Sequence, residues 1–512
     1  MAENENIAAR LLERNRQRCP DKAAYLCGDD ALTHHALAAD AARFANLLRA
    51  RGIGPGDRVL IALPDSFAAV KAFLGAMLLS ACPTPVSTLL GRDDFAFVLA
   101  DSAAAALITT EDSPALQAAK DAPGLVCVLP CGPDGPWGLA SFSAEFDAQA
   151  PHPPAPHSPT SHSSAPGFML YSSGSTGRPK GVPHAQADLL EPTRGWGTEV
   201  LGVREDDILF SASKLSFAYG LMSSVSLPLW AGATAVLLSG KPGPDELFAA
   251  IGRHRPTLFF CVPTLYDMVL RCYEPGQADS DLSSLRLCYS AGEALPERLC
   301  RQWAQATGVE VLDGIGSTEA FNLFVSNRPG QVRCGTSGQL VPGFEARIVD
   351  ETGAPLPDGQ PGDLHVRGAG TCRAYWNRPE QTAQTMLPEG WLVTGDVYVR
   401  EDEVYSHKGR SDDMLKVGAY FVSPVQVEEA LRAHPAVLDC AVAALKVEGL
   451  VRPCAHVVPR PGFAAGPELS AQLLRFVRQA LPPQQCPVRV CFVDDLPKTA
   501  TGKVQRFRLR QG

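Results

Sequence analysis

The chain has 512 residues, of which 45% are hydrophobic and 20% are charged, a composition typical of a folded protein with a large core. The length predicts roughly two to four domains. The net charge of −9, without any block of like charge, argues against nucleic acid or an acidic membrane as the main partner.

Neither a signal peptide nor a membrane span is predicted. The N-terminus lacks a basic region followed by an apolar one, and the most apolar stretch, residues 67–81, contains Lys71. The fifteen cysteines form no CxxC pair, and Cys127 and Cys131 have no second pair at zinc-finger spacing. We therefore expect free thiols, many of them buried, in a cytoplasmic protein.

Helices and strands alternate in the first part of the chain. Residues 7–17 predict an amphipathic helix, and Thr33 is a predicted N-cap for the next helix. Residues 58–62 and 105–109 read as strands, with a buried helix over residues 67–81 between them. This alternation predicts a mostly parallel sheet.

A segment rich in Pro, Ser and His follows at residues 148–167. Its prolines exclude a helix or a central strand. His152, His157 and His162 allow a metal-site interpretation, but no rigid geometry fixes them, so a flexible surface linker is favoured.

The alternation resumes after this linker. Buried strands are predicted over residues 207–211, 257–262, 285–289 and 309–312, with helices between them. Residues 338–367 contain short β runs separated by Gly and Pro turns, which predict a small barrel or sandwich.

The predicted fold class is α/β. A large N-terminal domain of stacked, mainly parallel sheets plus a small β-barrel is expected over residues 1–409. A small, mobile α+β domain is expected over residues 413–512, which show their own alternation of helices and strands, and residues 410–412 join the two.

Residues 171–181 contain four Ser or Thr residues and three glycines, and follow a predicted buried strand at 167–170. Glycines let several backbone N–H groups face one point, hydroxyls add donors and Lys180 adds a charge, which together suit a polyphosphate. Lys180 lies between Pro179 and Gly181, so this is not a Walker A loop. Alone, it is equally consistent with a polar surface loop.

Three later stretches carry further candidate residues. Residues 313–319 follow a predicted strand, where Thr318 can donate to a phosphate and Glu319 can hold Mg²⁺, although an isolated Gly-rich acidic turn is more often only a turn. In residues 394–396, Asp396 could accept hydrogen bonds from both ribose hydroxyls, or could simply occupy a turn.

The C-terminal end of the chain is basic, with Lys503 followed by Arg506, Arg508 and Arg510. Lys503 could neutralise developing negative charge on a phosphate or carboxylate. The default interpretation of such a run is a solvated tail.

In this order, these stretches resemble the signatures of the adenylate-forming superfamily of acyl-CoA synthetases, luciferases and peptide-synthetase adenylation domains. The resemblance covers nearly the whole chain, and residues 409–416 and 497–503 also match. It implies that a carboxylate attacks the α-phosphate of ATP, that pyrophosphate leaves, and that a thiol then attacks the acyl adenylate. ATP, Mg²⁺ and coenzyme A are the implied cofactor and co-substrates.

The resemblance also implies roles for individual residues. Lys503, Thr318 and Glu319 would be catalytic, and Glu319 would bind the metal. Asp412 would be the hinge about which the C-terminal domain rotates, and Gly418 would line the pantetheine tunnel. Gly418 could equally be a turn glycine. Arg410, which would bind the ribose, could equally form a surface ion pair. The implied ATP-binding residues are Ser172, Ser173, Gly174, Ser175, Thr176, Gly177, Lys180, Ser290, Ala291, Gly292, Glu293, Asp313, Gly314, Asp396 and Arg410.

Residues 214–220 and 317–330 look most like the benzoate-CoA ligase branch. By that resemblance the acyl pocket consists of Phe217, Ala218, Tyr219, Gly220, Ala320 and Asn322. Small residues beside aromatic ones suit a flat ring better than an alkyl chain, although core packing of Phe217 and Tyr219 remains an alternative. Two positions depart from the pattern. Asn322 stands where benzoate ligases often have His, and its donor and acceptor would accept a hydroxy- or amino-substituted benzoate such as anthranilate. Gln426 stands where relatives usually have Glu.

Three hypotheses result. An aryl-CoA ligase, with a homodimer as a possible assembly, is favoured. A free-standing enzyme that loads an aryl acid onto a separate carrier protein is the second. A nucleotide-binding scaffold without turnover is the third, and the presence of Lys180, Glu319, Asp396 and Lys503 argues against it.

Overall fold

A computed structural model of the chain describes residues 6–122, 124–131, 146–154, 166–173, 178–417, 420–447, 450–498 and 504–509. The predicted loop residues Gly174, Ser175, Thr176 and Gly177, most of the predicted linker, Gly418 and Lys503 lie outside the described residues. The chain divides into two compact units, the first Met1–Glu345 with Val366–Leu392 and the second Ala346–His365 with Val393–Gly512. Among the described helices, none combines the length and the apolar character that crossing a bilayer requires.

The described helices are α1 Ile7–Arg18, α2 His34–Ala50, α3 Phe67–Leu78, α4 Arg92–Ser102, α5 Pro114–Ala119, α6 Ala218–Leu221, α7 Leu227–Ala231, α8 Pro244–His254, α9 Pro263–Cys272, α10 Glu297–Thr307, α11 Pro379–Thr385, α12 Pro424–Arg432, α13 Pro467–Ala480 and α14 Arg506–Leu509. Shorter 3₁₀ or π segments, such as Gln186–Thr193, Arg194–Val200 and Met222–Ser226, connect some of them.

The described strands are β1 Ala23–Cys27, β2 Asp30–Thr33, β3 Arg58–Ala62, β4 Cys82–Pro85, β5 Ala106–Thr110, β6 Cys127–Cys131, β7 Phe168–Ser173, β8 Pro179–His184, β9 Ile208–Ser211, β10 Thr234–Leu237, β11 Leu258–Cys261, β12 Leu287–Ser290, β13 Val311–Ser317, β14 Asn322–Ser326, β15 Gln339–Leu340, β16 Phe344–Val349, β17 Gly362–Gly368, β18 Leu392–Glu401, β19 Val404–Arg410, β20 Leu415–Val417, β21 Tyr420–Val422, β22 Val437–Val447, β23 Leu450–Pro459 and β24 Arg489–Phe492.

The first unit is built on two mainly parallel sheets. Within the described residues, the larger has the order β15-β14-β13-β12-β11-β9-β10-β1-β2, and the six strands from β13 to β1 in this order pair in parallel. The smaller has the order β4-β3-β5-β6 and is parallel throughout. The α/β class and the parallel sheets predicted from the sequence are therefore confirmed.

The helix predictions are confirmed with one change of length. The side chain of Thr33 accepts a hydrogen bond from the Ala36 amide at 3.1 Å, as an N-cap residue does. The buried helix α3 ends at Leu78, earlier than predicted, because Ser80 has a φ of +58° and turns the chain into β4. Gly75 lets α2 approach, since a Cβ there would lie 2.8 Å from the Ala41 oxygen.

The second unit contains smaller sheets. Its described strands form the orders β16-β17-β18-β19, β20-β21 and β22-β23-β24, and β18 pairs antiparallel with β19. Thus the predicted short β runs of β16 and β17 belong to a four-stranded sheet that is completed by the antiparallel pair β18 and β19. Helices α12 and α13 and strands β22 and β23 supply most of a core that includes Val427, Val442, Val457 and Leu473, all fully buried.

One pair of cysteines differs from the expectation of free thiols. Cys300, on α10, and Cys334 form a disulfide with their Cα atoms 5.7 Å apart. The expectation is wrong for this pair because the fold brings together residues that are 34 positions apart, a proximity that cysteine spacing cannot reveal. Free cysteines among the described residues include the buried Cys82, Cys261 and Cys288.

The basic C-terminal stretch is also not simply solvated. Arg506 has only 16% of its side chain exposed and contacts both oxygens of Glu428, the nearer at 2.8 Å. Its Nη1 donates to Asp413 Oδ2 at 3.1 Å. Glu428 is 2% exposed and also accepts a hydrogen bond from the Val442 amide at 2.8 Å. Arg506 thus ties α14 to α12 and to the residues just after Asp412.

We expect Arg506→Met to destabilise the second unit by about 3 kcal/mol, because it removes the closely bonded cation and leaves the buried Glu428 carboxylate with only Arg432, 3.6 Å away. The thermal midpoint checks this, and Arg508→Met, at an exposed position on the same helix, is the control. Adding Glu428→Gln should recover part of the loss, because it removes a buried charge that has lost its hydrogen-bonded cation. Equal melting of the Arg506 and Arg508 variants would contradict the assignment.

Candidate functional site

The predicted phosphate loop lies at the tip of a hairpin. Strands β7 and β8 pair antiparallel, with Ser172 opposite Lys180 and Ser173 opposite Pro179. The hairpin therefore holds both ends of the loop close together, although residues 174–177 themselves lie outside the described part of the chain. The buried Ser172 hydroxyl has no hydrogen-bond partner within the described structure.

Asp101 fixes the base of this hairpin. Its carboxylate, 7% exposed, accepts hydrogen bonds from the Tyr171 hydroxyl at 2.8 Å and from Arg378 at 2.7 Å. Its backbone oxygen accepts from Trp376 Nε1 at 2.8 Å, and the Trp376 amide donates to the Gly181 oxygen at 2.9 Å. Burial and the neighbouring Asp101 raise the pKa of Tyr171, so its hydroxyl keeps its proton and remains a donor.

Thr318 and Glu319 lie in the tight turn between β13 and β14. Ser317 and Asn322 pair across the two strands, and Ser317 Oγ accepts a hydrogen bond from the Ala320 amide at 3.0 Å. The Thr318 oxygen lies 2.9 Å from Nε2 of His184, whose side chain is fully buried at the end of β8. The turn is therefore bonded both within itself and to the hairpin that bears Lys180.

Lys180 and Glu319 converge on Tyr375. The Lys180 ammonium lies 4.2 Å from the centre of the Tyr375 ring, and the Tyr375 hydroxyl donates to Glu319 Oε1 at 2.8 Å. The Cys372 amide donates to the Glu319 oxygen at 2.7 Å. The structure thus brings together two residues singled out in the sequence analysis, the cation of the loop and the carboxylate of the turn.

Sequence reasoning missed Tyr375, Asp101 and His184. Tyr375 is 56 positions from Glu319, and Asp101 is 277 positions from Arg378. No local periodicity or turn signal marks such contacts, because they arise from the packing of separate loops at one edge of the hairpin.

Ser290, Asp313 and Gly314 form a second group, at the carboxyl end of β12 and at the point in β13 where its parallel pairing with β12 ends. Ser290 and Asp313 are neighbours across these strands, and both Asp313 Oδ1 and the Ser290 hydroxyl are buried without a hydrogen-bond partner in the described structure. Burial raises the pKa of Asp313 well above its usual range, although amides of Leu295 and Gly314 oppose the shift. A Cβ on Gly314 would lie 2.1 Å from the Tyr289 hydroxyl, so this position requires glycine.

The next three predicted ATP-binding residues, Ala291, Gly292 and Glu293, directly follow Ser290 in the chain. Gly292 has a φ of +93°, in the left-handed region that favours glycine, and Ala291 is buried. Glu293 accepts a hydrogen bond from the Thr264 hydroxyl at 3.2 Å. These residues are therefore held by backbone conformation and by α9.

The predicted acyl-pocket residues lie in two segments. Tyr219 directs its hydroxyl to the Tyr289 oxygen at 2.9 Å, while a Cβ on Gly220 would lie 2.1 Å from the Lys214 oxygen. Ala218 is buried, and Phe217 precedes α6. Ala320 and Asn322 belong to the turn and to β14, and Asn322 is 3% exposed with no partner for Oδ1 within the described residues. That these two segments line one pocket stays a prediction.

A buried charged pair supports the segment before α6. Asp65 accepts a hydrogen bond from the Leu215 amide at 3.0 Å and lies 4.0 Å from Lys214. Burial raises the pKa of Asp65 to about 6 and lowers the pKa of Lys214. For both groups the effect of desolvation on the pKa, which favours the neutral form, is therefore larger than the effect of the opposite charge, which favours the charged form.

The second unit carries Asp396 and Arg410. They face each other across β18 and β19, with Arg410 Nη1 3.2 Å from Asp396 Oδ2. Arg410 also donates to the Thr394 oxygen at 2.8 Å, and His407 Nε2 lies 3.4 Å from Asp396 Oδ1. Asp412 follows in the short 3₁₀ turn Ser411–Asp413.

Comparison with known proteins gives a consistent assignment. Residues 12–376 match the AMP-binding enzyme family, and residues 426–503 match the AMP-binding enzyme C-terminal domain. The benzoate-CoA ligase of Thauera aromatica is 42% identical over 501 residues, covering 96% of this chain and 92% of that protein.

Two solved structures are similar along nearly their full length. A benzoate CoA ligase from Burkholderia xenovorans LB400 superposes with a TM-score of 0.88 at 40% identity, covering 98% of this chain and 99% of the other. The anthranilate CoA ligase AuaEII, in complex with anthranoyl-AMP, gives 0.90 at 37% identity, with coverages of 98% and 96%.

We expect Asp65→Asn to become more stabilising, relative to the unsubstituted protein, as pH rises from 5 to 8. The pKa of Asp65 is about 6 in the folded state and 3.8 ordinarily, so its contribution to stability falls as pH rises from about 4 to above 6. At pH 8 the full cost of the buried charge is present. With a folded-state pKa of about 6, this contribution changes by about 1–2 kcal/mol between pH 5 and pH 8. Thermal midpoints at both pH values measure it.

The control for this experiment is Asp207→Asn. Asp207 is 1% exposed and paired with Arg286 at 2.7 Å, and hydrogen bonds lower its pKa despite burial. Its contribution is present above the ordinary pKa, so its replacement should destabilise the fold at both pH 5 and pH 8. A pH-independent effect of Asp65→Asn would refute the explanation given for Asp65.

Proposed function

The chain belongs to the AMP-binding enzyme family, and from this premise we propose that it is an AMP-forming aryl-CoA ligase. Its acid is benzoate or an amino- or hydroxy-substituted benzoate such as anthranilate. The carboxylate attacks the α-phosphate of ATP and releases pyrophosphate, and the thiol of coenzyme A then takes the acyl group and releases AMP. The observation that carries the proposal is the convergence of Lys180 and Glu319 on Tyr375.

This convergence suits a polyphosphate and its metal ion. Lys180 supplies a cation to the phosphate oxygens, and Ser172, Ser173 and the loop residues supply donors. Glu319 is a partly exposed carboxylate, the kind of oxygen ligand that Mg²⁺ takes together with substrate phosphates. Mg²⁺ bound there would neutralise phosphate charge. Thr318 contacts the α-phosphate, and Lys503 bridges it to the acid in this proposal.

The adenine of ATP fits the second group. An acceptor that is buried without a donor costs free energy, and an exocyclic amino group would supply the donor that Asp313 Oδ1 lacks. Ser290, Ala291, Gly292, Glu293 and Gly314 surround the base in this proposal. Asp396 and Arg410, in the second unit, bind the ribose hydroxyls.

The unpartnered Oδ1 of Asn322 favours a substituted ring. A ring amino or hydroxyl group can donate a hydrogen bond to this buried acceptor, whereas plain benzoate cannot. The Tyr219 hydroxyl is already bonded to the backbone, so Tyr219 contributes its ring to the pocket. Phe217, Ala218, Gly220 and Ala320 complete the proposed wall.

Domain rotation separates the two half-reactions in this proposal. Residues 1–409 bind ATP and the acid, residues 410–412 include the hinge Asp412, and residues 413–512 form the lid with Lys503 and Gly418. We assign the enzyme to the cytoplasm because ATP and coenzyme A are supplied there; most described cysteines are free, although Cys300 and Cys334 form a disulfide.

The test is pyrophosphate release with ATP, Mg²⁺ and a panel of benzoate, anthranilate, hydroxybenzoates, cinnamates and fatty acids, each with and without coenzyme A. Formation of the aryl-CoA thioester establishes the ligase and names the acid. Adenylation that stalls despite coenzyme A would assign a carrier-protein thiol as the acceptor instead. Pyrophosphate release that is independent of every acid would contradict the proposal. Lys503→Ala is the control, which should lose adenylation and still convert supplied acyl adenylate to the thioester.

We expect Asn322→His to shift the preference towards unsubstituted benzoate by about tenfold in the ratio of kcat/KM values, since the acceptor for a ring substituent is altered. Competition between benzoate and anthranilate measures the ratio directly. Asn322→Ser, which is smaller, controls for crowding, and melting curves check folding. An unchanged ratio in both variants would remove Asn322 from the pocket.

A further inference from the structure

We propose that Tyr375 is a positioning residue for adenylation: it fixes the Glu319 carboxylate through its hydroxyl while its ring holds the Lys180 ammonium. The inference rests on the proposed function and adds a residue to it. The hydroxyl lies 2.8 Å from Glu319 Oε1, and the Lys180 ammonium lies 4.2 Å from the ring centre. Two chemically different parts of one side chain thus contact the two charged groups of the site.

Tyr375 is itself held rigidly. It is 5% exposed and packs against Val182 and Cys372. Its amide donates to Thr382 Oγ1, on α11, at 3.0 Å. This packing and this hydrogen bond hold the Tyr375 ring in place against β8 and α11.

The same segment is bonded to both catalytic stretches. The Cys372 amide donates to the Glu319 oxygen at 2.7 Å, and the Trp376 amide donates to the Gly181 oxygen at 2.9 Å. One end of residues 372–376 is thus joined to the turn that carries Glu319, and the other to the strand that carries Lys180. Tyr375 lies between these two attachments.

The ring also acts as a spacer between opposite charges. A lysine and a glutamate that converge on one point would ordinarily form a direct ion pair, which would occupy both groups. Among the described residues the structure contains no ion pair between Lys180 and Glu319. Instead the π face of Tyr375 attracts the cation and its hydroxyl satisfies one carboxylate oxygen. Lys180 is thereby left for phosphate, and the second oxygen of Glu319 for a metal ion.

The experiment uses Tyr375→Phe, which deletes the hydroxyl and keeps the ring. We expect the Mg²⁺ concentration for half-maximal pyrophosphate release to rise about tenfold, with little change in rate at saturating Mg²⁺. Calorimetry should show about tenfold weaker ATP binding in Mg²⁺ and unchanged ATP binding in EDTA. Tyr375→Leu removes the ring as well, so it should also weaken binding in EDTA because Lys180 loses its support.

The matched control is Tyr25→Phe, which removes another buried hydroxyl, bonded to the Ser224 oxygen at 3.0 Å on a distant part of the first unit. It should change the thermal midpoint without changing the Mg²⁺ dependence. In the Glu319→Gln background, Tyr375→Phe should have no further effect on the Mg²⁺ dependence, because the hydroxyl acts through that carboxylate.

An unchanged Mg²⁺ dependence in Tyr375→Phe, or a full additional effect in the Glu319→Gln background, would overturn the proposal. If Tyr375→Phe fails to fold, Tyr375→Leu measured against Tyr25→Phe decides whether the ring supports ATP binding. Binding of ATP is independent of the acid, so a protein that activates none of the acids tested would refute the proposed function while calorimetry still decides the role of Tyr375.

Discussion

Strand β13 pairs in two directions, and the candidate site depends on this change of partner. Val311 to Asp313 pair in parallel with β12, and Gly314 to Ser317 pair antiparallel with β14. The strand can pass between its neighbours only where side chains are absent: a Cβ on Gly314 would lie 2.1 Å from the Tyr289 hydroxyl, and one on Gly316 would lie 2.2 Å from the Asn322 oxygen. One strand thus buries Asp313 and then delivers Thr318 and Glu319 to the edge of the sheet.

Buried charges recur around this framework, and their surroundings decide their effect. Both oxygens of Asp207 accept hydrogen bonds from Arg286, and the pKa of Asp207 is lowered. Burial raises the pKa of Asp65 and of Asp313, because their hydrogen-bond and charge partners do not compensate for the desolvation. Asp207 stabilises the amino ends of the parallel strands. Asp313, opposite the last residue of β12, keeps an acceptor available, which suits ligand binding.

The sequence predicts most of the fold and the identity of many candidate residues, because hydrophobic periodicity, capping and glycine-rich turns are local. Thr33, the strands of the main sheet and the buried strand before residues 171–181 are examples, whereas the pairing of β7 with β8 into a hairpin was not predicted. Partners brought together by packing could not be predicted. Three contacts depend on segments that are far apart in the chain: the disulfide between Cys300 and Cys334, the burial of Arg506, and the place of Tyr375 between Lys180 and Glu319.

The central claim is that a carboxylate is activated as an acyl adenylate by this arrangement. The most direct measurement uses the aromatic acid labelled with ¹⁸O in both carboxylate oxygens, together with ATP, Mg²⁺ and coenzyme A, and mass spectrometry of the nucleotide product. Attack on the α-phosphate followed by cleavage of the acyl–oxygen bond predicts one ¹⁸O in each AMP and one in each thioester. AMP without the label, or label in inorganic phosphate, would contradict the account.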